Sequence, residues 1–433
     1  MKSRALLFLA ILAVNASAAQ TYTSYMTGDA ADVVVQPTRA IVMAGGATDN
    51  DNAMIWMLQR ANGGDVLVLR ASGADGYNDY FYSELGVAVN SVETIVCNTS
   101  ASGDDPYIVQ RIQEAECIFF AGGDQSNYIN FWLDSPVENA LNEHILVKQG
   151  VIGGTSAGMA ILGGHVFTAE NGTITSATAL GNPFSLSMTL SHDDFLTHPF
   201  LLDVITDTHY DDPDRRGRHV AFMAQMANWG VTQARGIACN EYVAVAIDEN
   251  GIAHCFGEYP QYEEYVYFLR LNCDVPNGPE VIEPMESLTW NRNNAALKVY
   301  RANARLDGSS TFDLNNWVDN NADGQWQNWW VESGEIFFTD NASAPDCTLS
   351  ANEPAASARD VVVTEPYLGK ITVQCPFNGR MLMHDALGRC VLNIQLQQGS
   401  QEVCIPQHPT GLSSLVVLNA DGQRVFSKKI LTN

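Results

Sequence analysis

The sequence has 433 residues, of which 46% are hydrophobic and 17% charged, a composition that excludes a disordered chain. It is too long for one ordinary core, so we expect two or more folded units. Its 49 acidic and 23 basic residues give a formal net charge of -26, which argues against nucleic acid or anionic lipid as a partner.

The N-terminus has the pattern of an export signal. Lys2 and Arg4 precede an apolar run from Ala5 to Val14, and the small residues Ala16-Ser17-Ala18 then offer a cleavage site. We predict a signal peptide over residues 1–19. Export permits disulfides, but the nine cysteines are an odd number and their spacing does not reveal the pairing.

Short apolar runs alternate with helix-like stretches from residue 40 to about residue 235. Continuous apolar strands separated by helices predict a parallel sheet covered on both faces, with ligands bound at the carboxyl ends of the strands. Glycine-rich segments follow several of these strands, so they are expected at that edge. The predicted strands are residues 40–44, 66–69, 94–96, 118–120 and 151–153.

The composition changes near residue 351. Ala, Ser, Glu and Pro dominate the stretch 351–359, which has the character of a linker. The following residues alternate apolar and polar positions between regularly spaced glycines, a pattern typical of β-strands. We predict one domain over residues 20–350 and a small all-β sandwich over residues 351–433.

The pentapeptide Gly154-Thr155-Ser156-Ala157-Gly158 carries the strongest catalytic signal. In a Gly-x-Ser-x-Gly turn between a strand and a helix, the glycines allow a sharp bend that presents the serine hydroxyl, and the next amide can stabilise an oxyanion. An apolar strand enters this turn and residues 157–162 can begin a helix. A structural glycine turn that merely contains a serine is the alternative.

A serine nucleophile needs a base, and a carboxylate that orients the base. His209 lies beside a dense charge cluster and is a candidate base, although a surface loop of salt-linked charges has the same pattern. Glu241 lies between two apolar runs, where an unpaired charge is costly, and is the candidate carboxylate. The amides of Gly122-Gly123 would supply a second oxyanion donor, with Gln125 turned toward the substrate.

In this order, the motifs Gly-Gly-Asp-Gln, Gly-Thr-Ser-Ala-Gly, Asp-x-His with Arg-Gly-Arg, and a strand-embedded Glu resemble the cyanophycinase family of serine peptidases. The resemblance spans roughly residues 40–340. It implies an α/β flavodoxin-like three-layer sandwich with a mainly parallel sheet, as in class I glutamine amidotransferases. It assigns Ser156, His209 and Glu241 to a catalytic triad, Gly123 and Ala157 to the oxyanion hole, and Gln125, Asp207, Arg216 and Arg218 to substrate binding.

Two positions depart from the cyanophycinase pattern. Thr208 stands where these enzymes have a glutamine, and Ala221 stands where they have a further arginine that is expected to hold an acidic substrate group. The resemblance therefore supports hydrolysis of a peptide or isopeptide bond beside an acidic residue better than cleavage of cyanophycin itself.

The last segment resembles the C-terminal sorting domains of type IX secretion. The segment Asp385-Ala386-Leu387-Gly388-Arg389, the strand near residues 415–418 and the terminal Lys428-Lys429-Ile430 carry this resemblance. It implies recognition by the secretion machinery and a location at the outer-membrane cell surface or in the medium. A generic β accessory domain is the alternative.

These features predict a secreted serine hydrolase that needs neither cofactor nor metal, acts on a peptide or isopeptide substrate and is compatible with a homodimer. Another hydrolase or transferase on the same fold and a non-catalytic surface protein that binds a peptide remain alternatives. Two weaker patterns have metal-binding chemistry. The Asn/Asp-rich stretch 319–324 matches the start of a calcium loop but lacks its final glutamate, and the His and Asp residues of 192–198 match no known metal geometry.

Overall fold

The computed structural model describes residues 21–192, 195–345, 347, 362–363, 370–375, 378–384, 390–404, 411–418 and 424–432. The predicted signal peptide, the stretch 351–359, Asp193 and Asp194 lie outside these residues, as does the segment 385–389. The described residues divide into two compact units, one ending at Pro345 and a second formed by the residues that follow.

The first unit contains two β-sheets with helices packed on them. Its strands, in chain order, are β1 (Tyr22–Gly28), β2 (Ala40–Ala44), β3 (Asp65–Arg70), β4 (Ser91–Cys97), β5 (Cys117–Phe120), β6 (Val151–Thr155), β7 (His165–Phe167), β8 (Leu190–His192), β9 (Val204–Asp207), β10 (Arg235–Cys239), β11 (Ala244–Ile247), β12 (Ile252–Phe256), β13 (Tyr265–Leu271), β14 (Leu297–Asn303), β15 (Ser310–Asp313), β16 (Val318–Asp319), β17 (Gly324–Glu332) and β18 (Glu335–Thr339). Its α-helices are α1 (Asp51–Arg60), α2 (Pro106–Glu114), α3 (Gln125–Trp132), α4 (Pro136–Glu143), α5 (Ala157–Ala160), α6 (Ser176–Gly181) and α7 (Arg216–Asn228).

The first sheet has the strand order β1-β4-β3-β5-β6-β2-β11-β12-β15-β16 among the described residues. Its central block β4-β3-β5-β6-β2 is parallel, which confirms the predicted α/β architecture. Strands β2, β5 and β6 are buried along their whole length, as expected of strands covered on both faces. The flanking strands β1, β11, β12, β15 and β16 extend this block in antiparallel pairs.

The second sheet of this unit was not anticipated from the sequence. Its order is β18-β17-β14-β13-β10-β9-β7-β8, and β9 pairs in parallel with both β10 and β7. A large apolar cluster contains residues of both sheets, among them Ile152 of β6 and Ile237 of β10. The two sheets therefore share a core, and their strand ends can meet at one site.

Local sequence signals explain where the helices begin. The side chain of Asn50 accepts the amide of Ala53 at the start of α1. The side chain of Asp105 accepts a hydrogen bond from the amide of Tyr107, and Pro106 is the first residue of α2. The side chain of Asp124 accepts a hydrogen bond from the amide of Ser126 at the start of α3. Each cap satisfies a backbone donor that the first helical turn leaves unpaired. The cap at α3 also fixes the loop that follows β5.

The second unit is an all-β sandwich, as the sequence predicts. Its strands are β19 (Val362–Val363), β20 (Lys370–Cys375), β21 (Gly379–His384), β22 (Cys390–Leu396), β23 (Gly399–Cys404), β24 (Gly411–Leu418) and β25 (Arg424–Thr432). They form two antiparallel sheets, β19-β20-β23 and β22-β21-β24-β25. Ile371 and Val373 of one sheet and Met381 and Leu415 of the other lie in one buried apolar cluster.

The cysteines of the described residues include disulfide-bonded side chains and buried free thiols. Cys273 and Cys347 are each disulfide-bonded. Cys97, Cys117, Cys239 and Cys255 are buried free cysteines. Burial raises the pKa of the Cys97 thiol to about 11, so this side chain remains a protonated, unreactive thiol near neutral pH.

Across the part of the chain that the structure describes, no helix combines the length and apolar character needed to cross a bilayer.

Candidate active site

Five strand ends converge on the predicted site. In the first sheet, β5, β6 and β2 are neighbours and are followed by Gly122-Gly123, by Ser156 and by Gly45-Gly46. We call these three segments the first-sheet edge. In the second sheet, β9 and β10 are parallel neighbours. They lead into residues 207–218 and 240–241, which we call the second-sheet edge.

The turn around Ser156 has the backbone of a strained nucleophile turn. Ser156 adopts φ +52° and ψ −116°, a combination that non-glycine residues rarely adopt. A Cβ added at Gly154 would lie 2.5 Å from the carbonyl of Gly158, and one added at Gly158 would lie 2.0 Å from the carbonyl oxygen of Phe120. Both glycines are therefore required by close backbone approach, and the turn holds the serine hydroxyl at the edge of the sheet.

The three predicted triad side chains form a continuous hydrogen-bonded chain. Ser156 Oγ lies 2.8 Å from His209 Nε2, and His209 Nδ1 lies 2.5 Å from Glu241 Oε1. Because a carboxylate only accepts, Nδ1 carries the proton and donates to Glu241, which leaves Nε2 free to accept the serine proton. The side chains of His209 and Glu241 are 22% and 23% exposed, so the chain opens to solvent at one side.

The backbone around the imidazole and its carboxylate is also strained. His209 adopts φ +46° and Tyr242, which follows Glu241, adopts φ +65°. The amide of Glu241 donates to Asp211 Oδ1 at 2.9 Å. Unfavourable backbone conformations persist where the surrounding contacts determine them, and here they occur at or next to all three triad positions.

A cavity of about 380 Å³ opens beside the serine hydroxyl. Gly123 and Ala157, the predicted oxyanion donors, both line it. The other lining residues are Asp124, Gln125, Ser156, Ala160, Phe167, Ala169, Gly172, Thr173, Thr206, Asp207, Thr208, His209, Arg215 and Arg218. The structure thus brings the Ser156 hydroxyl, the His209 imidazole and the two predicted oxyanion donors around one cavity.

Gln125 begins helix α3 and lies in the wall of this cavity. Its side-chain Nε2 donates to the carbonyl oxygen of Phe167 at 3.3 Å. That contact orients the side-chain amide within the cavity wall.

Asp207 and Arg218 form a buried ion pair in the wall of the cavity, exposed by only 3% and 4%. The guanidinium donates from Nε and Nη2 to the two carboxylate oxygens at 2.9 and 2.5 Å, and Nη1 donates to Thr173 Oγ1 and to the carbonyl of Ile174. Burial alone would raise the pKa of the Asp207 carboxyl, but the charge and hydrogen bonds of Arg218 outweigh it and hold that pKa below its ordinary value. Each charge of the pair is thus largely satisfied by the other.

Arg216 does not lie where the sequence predicts it. It is absent from the cavity wall and pairs with Asp214, with Nε–Oδ1 and Nη2–Oδ2 distances of 2.9 and 2.5 Å, while its guanidinium lies over the ring of Phe338. The hydrogen bonds that Arg216 donates to Asp214 raise the pKa of the Arg216 guanidinium. Asp214 lies only two residues before Arg216, and this local ion pair holds the guanidinium outside the cavity.

Arg215 takes the place in the cavity wall that was expected of Arg216. Its Nη1 donates to the carbonyl oxygen of Thr208 at 3.0 Å, and within the described residues it forms no ion pair with a carboxylate. Burial lowers the pKa of its guanidinium, and the nearby charge of Arg218 acts in the same direction. Arg215 is therefore a partly desolvated cation that faces the cavity, a position that the sequence patterns did not indicate.

The two departures from the cyanophycinase pattern have different structural meanings. Thr208 is buried and lines the cavity, so the loss of a glutamine there changes the shape of the site. Ala221 is fully buried within the apolar cluster that α7 forms with the second sheet and does not line the cavity. An arginine at 221 would have no space in this packing.

In the stretch 319–324, two carboxylates that matched a calcium loop bind neighbouring side chains. Asp323 accepts Nε and Nη2 of Arg305 at 2.6 and 2.7 Å, and Asp319 Oδ1 accepts the indole N–H of Trp326 at 2.7 Å. These contacts fasten the loop to the strands around it. Among the described residues, no group of three or more His, Cys, Asp or Glu side chains is arranged to hold a metal ion.

Comparison with known proteins supports the resemblance over part of the chain. The sequence model of peptidase family S51 matches residues 70–253. The cyanophycinase of Geminocystis herdmanii is 24% identical over 191 residues, which cover 41% of this chain and 65% of that protein. The cyanophycinase of Synechococcus elongatus is 26% identical over 202 residues, which cover 42% of this chain and 56% of that protein. The chain thus spans between about half and two thirds of these relatives.

Solved structures give a more distant similarity. A peptidase from an acI-B1 Actinobacterium superposes with a TM-score of 0.38 and 13% identity, covering 54% of this chain and 91% of that one. The matched segment 70–253 contains Ser156, His209 and Glu241 together with the cavity wall. Over this segment, which is less than half of its length, the chain is therefore similar to peptidase family S51.

Proposed function

We propose that this protein is a serine-type peptidase that cleaves a peptide or isopeptide bond through an acyl-enzyme intermediate. The observation that carries the proposal is the unbroken chain from Ser156 Oγ through the His209 ring to Glu241, with distances of 2.8 and 2.5 Å. A hydroxyl is a weak nucleophile unless a positioned base removes its proton, and this arrangement supplies both the base and the group that orients it.

The proposed reaction begins when Ser156 Oγ attacks the scissile carbonyl carbon and His209 Nε2 takes the hydroxyl proton. The amides of Gly123 and Ala157 stabilise the negative oxygen of the tetrahedral intermediate, and Glu241 stabilises the imidazolium. The carbon–nitrogen bond then breaks as Nε2 returns the proton to the leaving amine. Water, activated by the same imidazole, hydrolyses the resulting Ser156 ester. No step requires a cofactor.

We propose further that the substrate carries a carboxylate near the scissile bond and that Arg215 binds it. Of the three arginines in this segment, Arg216 is held by Asp214 outside the cavity and Arg218 is held by Asp207. Arg215 lines the cavity and has donors to offer, and a guanidinium binds a carboxylate with two parallel hydrogen bonds. Because Thr208 replaces the family's glutamine, we propose acidic peptides or isopeptides as a class rather than cyanophycin.

The location of the protein is a separate proposal. The basic start and apolar run of residues 1–19 support export, and the β-sandwich unit together with Lys428-Lys429-Ile430 supports recognition by a type IX secretion machinery. We propose residues 20–350 as the catalytic domain and 351–433 as the sorting domain of a protein at the cell surface or in the medium. Mass spectrometry of the exported form would test this, since a mature protein that still contains residues 1–19 contradicts it.

Labelling with a fluorophosphonate tests the proposed mechanism. The Ser156 Oγ–phosphorus bond forms, fluoride leaves and His209 takes the serine proton, so labelling uses the same nucleophile as hydrolysis and is accelerated by the same base, with a slow residual rate when the base is removed. Wild-type protein should label at Ser156, and Ser156→Ala should neither label nor hydrolyse any substrate. Folded wild-type protein that fails to label would favour a non-catalytic peptide-binding protein on this fold.

A substrate panel tests the proposed specificity. Acidic dipeptides, β-aspartyl isopeptides, cyanophycin and neutral dipeptides would be compared for kcat/KM. Arg215→Met should lower kcat/KM for acidic substrates about 10- to 100-fold and leave neutral ones nearly unchanged, since a charged hydrogen bond is worth about 1.5–3 kcal/mol. The matched control Arg216→Met should change both by less than about threefold. Equal effects of the two substitutions would overturn the role of Arg215.

A further inference from the structure

The turn formed by Gly45 and Gly46 follows β2 and is a segment of the first-sheet edge that is hydrogen-bonded to the base and carboxylate segments of the second sheet. We infer that this turn is a positioning element that sets the His209 imidazole between Ser156 and Glu241. The inference deepens the proposed function, on which it rests, by identifying what keeps the base in reach of the nucleophile. Neither glycine has a side chain, so the turn acts through its backbone hydrogen bonds and the close approach of neighbouring atoms.

Consecutive carbonyls at the end of β2 bind the nucleophile segment and the base segment. The carbonyl oxygen of Ala44 accepts the amide of Ser156 at 3.0 Å, and that of Gly45 accepts the amide of His209 at 2.8 Å. These carbonyls belong to adjacent residues of one strand end, so covalent geometry keeps the Cα atoms of those residues about 3.8 Å apart. The backbones of the nucleophile and the base are thereby held at a set distance.

The carboxylate segment is bound by the next carbonyl along the same turn. The carbonyl oxygen of Gly46 accepts the amide of Tyr242, the residue after Glu241, at 3.1 Å, and the amide of Gly45 donates to the carbonyl of Val243 at 2.8 Å. A Cβ at Gly45 would lie 2.0 Å from the carbonyl oxygen of Asn240, which leaves no room for any side chain. Three successive residues of this turn region thus hold all three triad segments.

Gly46 also contacts the imidazole directly. It adopts φ +107°, and a Cβ built there would lie 2.4 Å from both Cε1 and Nε2 of His209 and 3.1 Å from Cδ2. Nε2 is the atom that lies 2.8 Å from Ser156 Oγ. Because the Gly45 carbonyl fixes the backbone of His209, the ring could escape an added methyl only by turning, and that would move Nε2 away from the hydroxyl.

A double-mutant cycle separates this ring contact from a general effect on the fold. Rate constants for fluorophosphonate labelling of Ser156 would be measured for wild type, Gly46→Ala, His209→Ala and the double variant, with thermal unfolding of each. When the His209 ring is present, Gly46→Ala should slow labelling at least about 100-fold, because a misplaced imidazole loses most of its contribution as a general base. In the His209→Ala background the methyl enters the vacated space, and it should change the rate less than about threefold.

Gly230→Ala is the matched control for backbone strain. Gly230 has φ +91° and nothing within 4 Å of an added Cβ, so its substitution imposes an unfavourable backbone without a clash. It should leave labelling unchanged. Labelling of Gly46→Ala within about threefold of wild type, or an equal loss in both backgrounds, would overturn the inference.

Whether each variant folds is a second test of the contact between Gly46 and the His209 ring. If Gly46→Ala fails to fold while the double variant folds, the clash with the His209 ring is supported. Failure of both would assign Gly46 a purely structural role and overturn the inference. Absence of labelling in wild-type protein would instead overturn the proposed function, so the two failures are distinguishable.

Discussion

The two sheet edges that meet at the site work by different means. Apart from the Ser156 hydroxyl, the first-sheet edge contributes mainly backbone: glycines at positions where a Cβ would lie within 3 Å of a neighbouring atom, and carbonyls that accept hydrogen bonds from other segments. The second-sheet edge contributes charged side chains, two pairs of which, Glu241–His209 and Asp207–Arg218, are hydrogen-bonded to each other, whereas Arg215 forms no ion pair with a carboxylate of the described residues. The first-sheet edge therefore fixes the positions of the segments mainly through its backbone, and the second-sheet edge supplies the charged side chains of the candidate site.

Removing the charge of Glu241 tests the second-sheet edge most severely. Glu241→Gln keeps the size of the side chain but no longer stabilises the imidazolium and can favour the wrong tautomer of His209. We expect kcat to fall about 10³- to 10⁴-fold with KM nearly unchanged. Steady-state kinetics on the best acidic substrate would measure this. A loss below about tenfold would mean that the carboxylate only supports the loop.

Breaking the buried pair at Asp207 should affect stability. Asp207→Asn leaves the Arg218 charge buried without its counter-ion and should lower the free energy of unfolding by about 3–5 kcal/mol near neutral pH. The control Asp214→Asn removes an exposed partner of Arg216 and should cost less than about 1 kcal/mol. Denaturant unfolding of both variants would measure the difference, and equal costs would contradict it.

The Asp207–Arg218 pair should also make the free energy of unfolding depend on pH in acid. Because the native pKa of Asp207 is depressed, its stabilising contribution is complete above the unfolded pKa of about 3.9 and is lost as the pH falls through the lower native value. The gap in unfolding free energy between wild type and Asp207→Asn should therefore narrow below about pH 4. A gap that stayed constant or widened in acid would show that the charge of Asp207 does not stabilise the fold.

A single methyl group tests the first-sheet edge. Gly158→Ala would place Cβ 2.0 Å from the carbonyl oxygen of Phe120, so the turn that carries Ser156 must shift. We expect a loss of about 2–3 kcal/mol in unfolding free energy, the usual cost of overpacking, together with slower labelling of Ser156. Gly181→Ala, which has nothing within 4 Å of the added Cβ, should cost nothing. A Gly158→Ala protein as stable and as reactive as wild type would show that the close approach of Phe120 does not require a glycine at position 158.

Local sequence patterns predicted much of the first unit. Alternation of apolar runs and helices indicated the parallel block, and the Gly-x-Ser-x-Gly motif indicated the turn at Ser156, because both depend on residues that are neighbours in the chain. The second sheet was missed as a layer of its own, since its strands are joined by pairings between distant segments. Arg216 was assigned to the cavity by the family resemblance alone. Adjacent residues at a helix start point about 100° apart, so only packing decides which one faces the cavity.

By itself, the sequence determined which residue types are available for chemistry and where the chain must bend, since a glycine, an apolar run or a helix cap acts within a few residues. Only the tertiary structure decided which arginine pairs with a buried carboxylate and which one faces the cavity, as Asp207 binds Arg218 and Arg215 lines the cavity wall. It also revealed the carbonyls of the Gly45–Gly46 turn as contacts of the triad segments. Every residue has a carbonyl, so its partner cannot be identified until the fold brings distant backbone segments together.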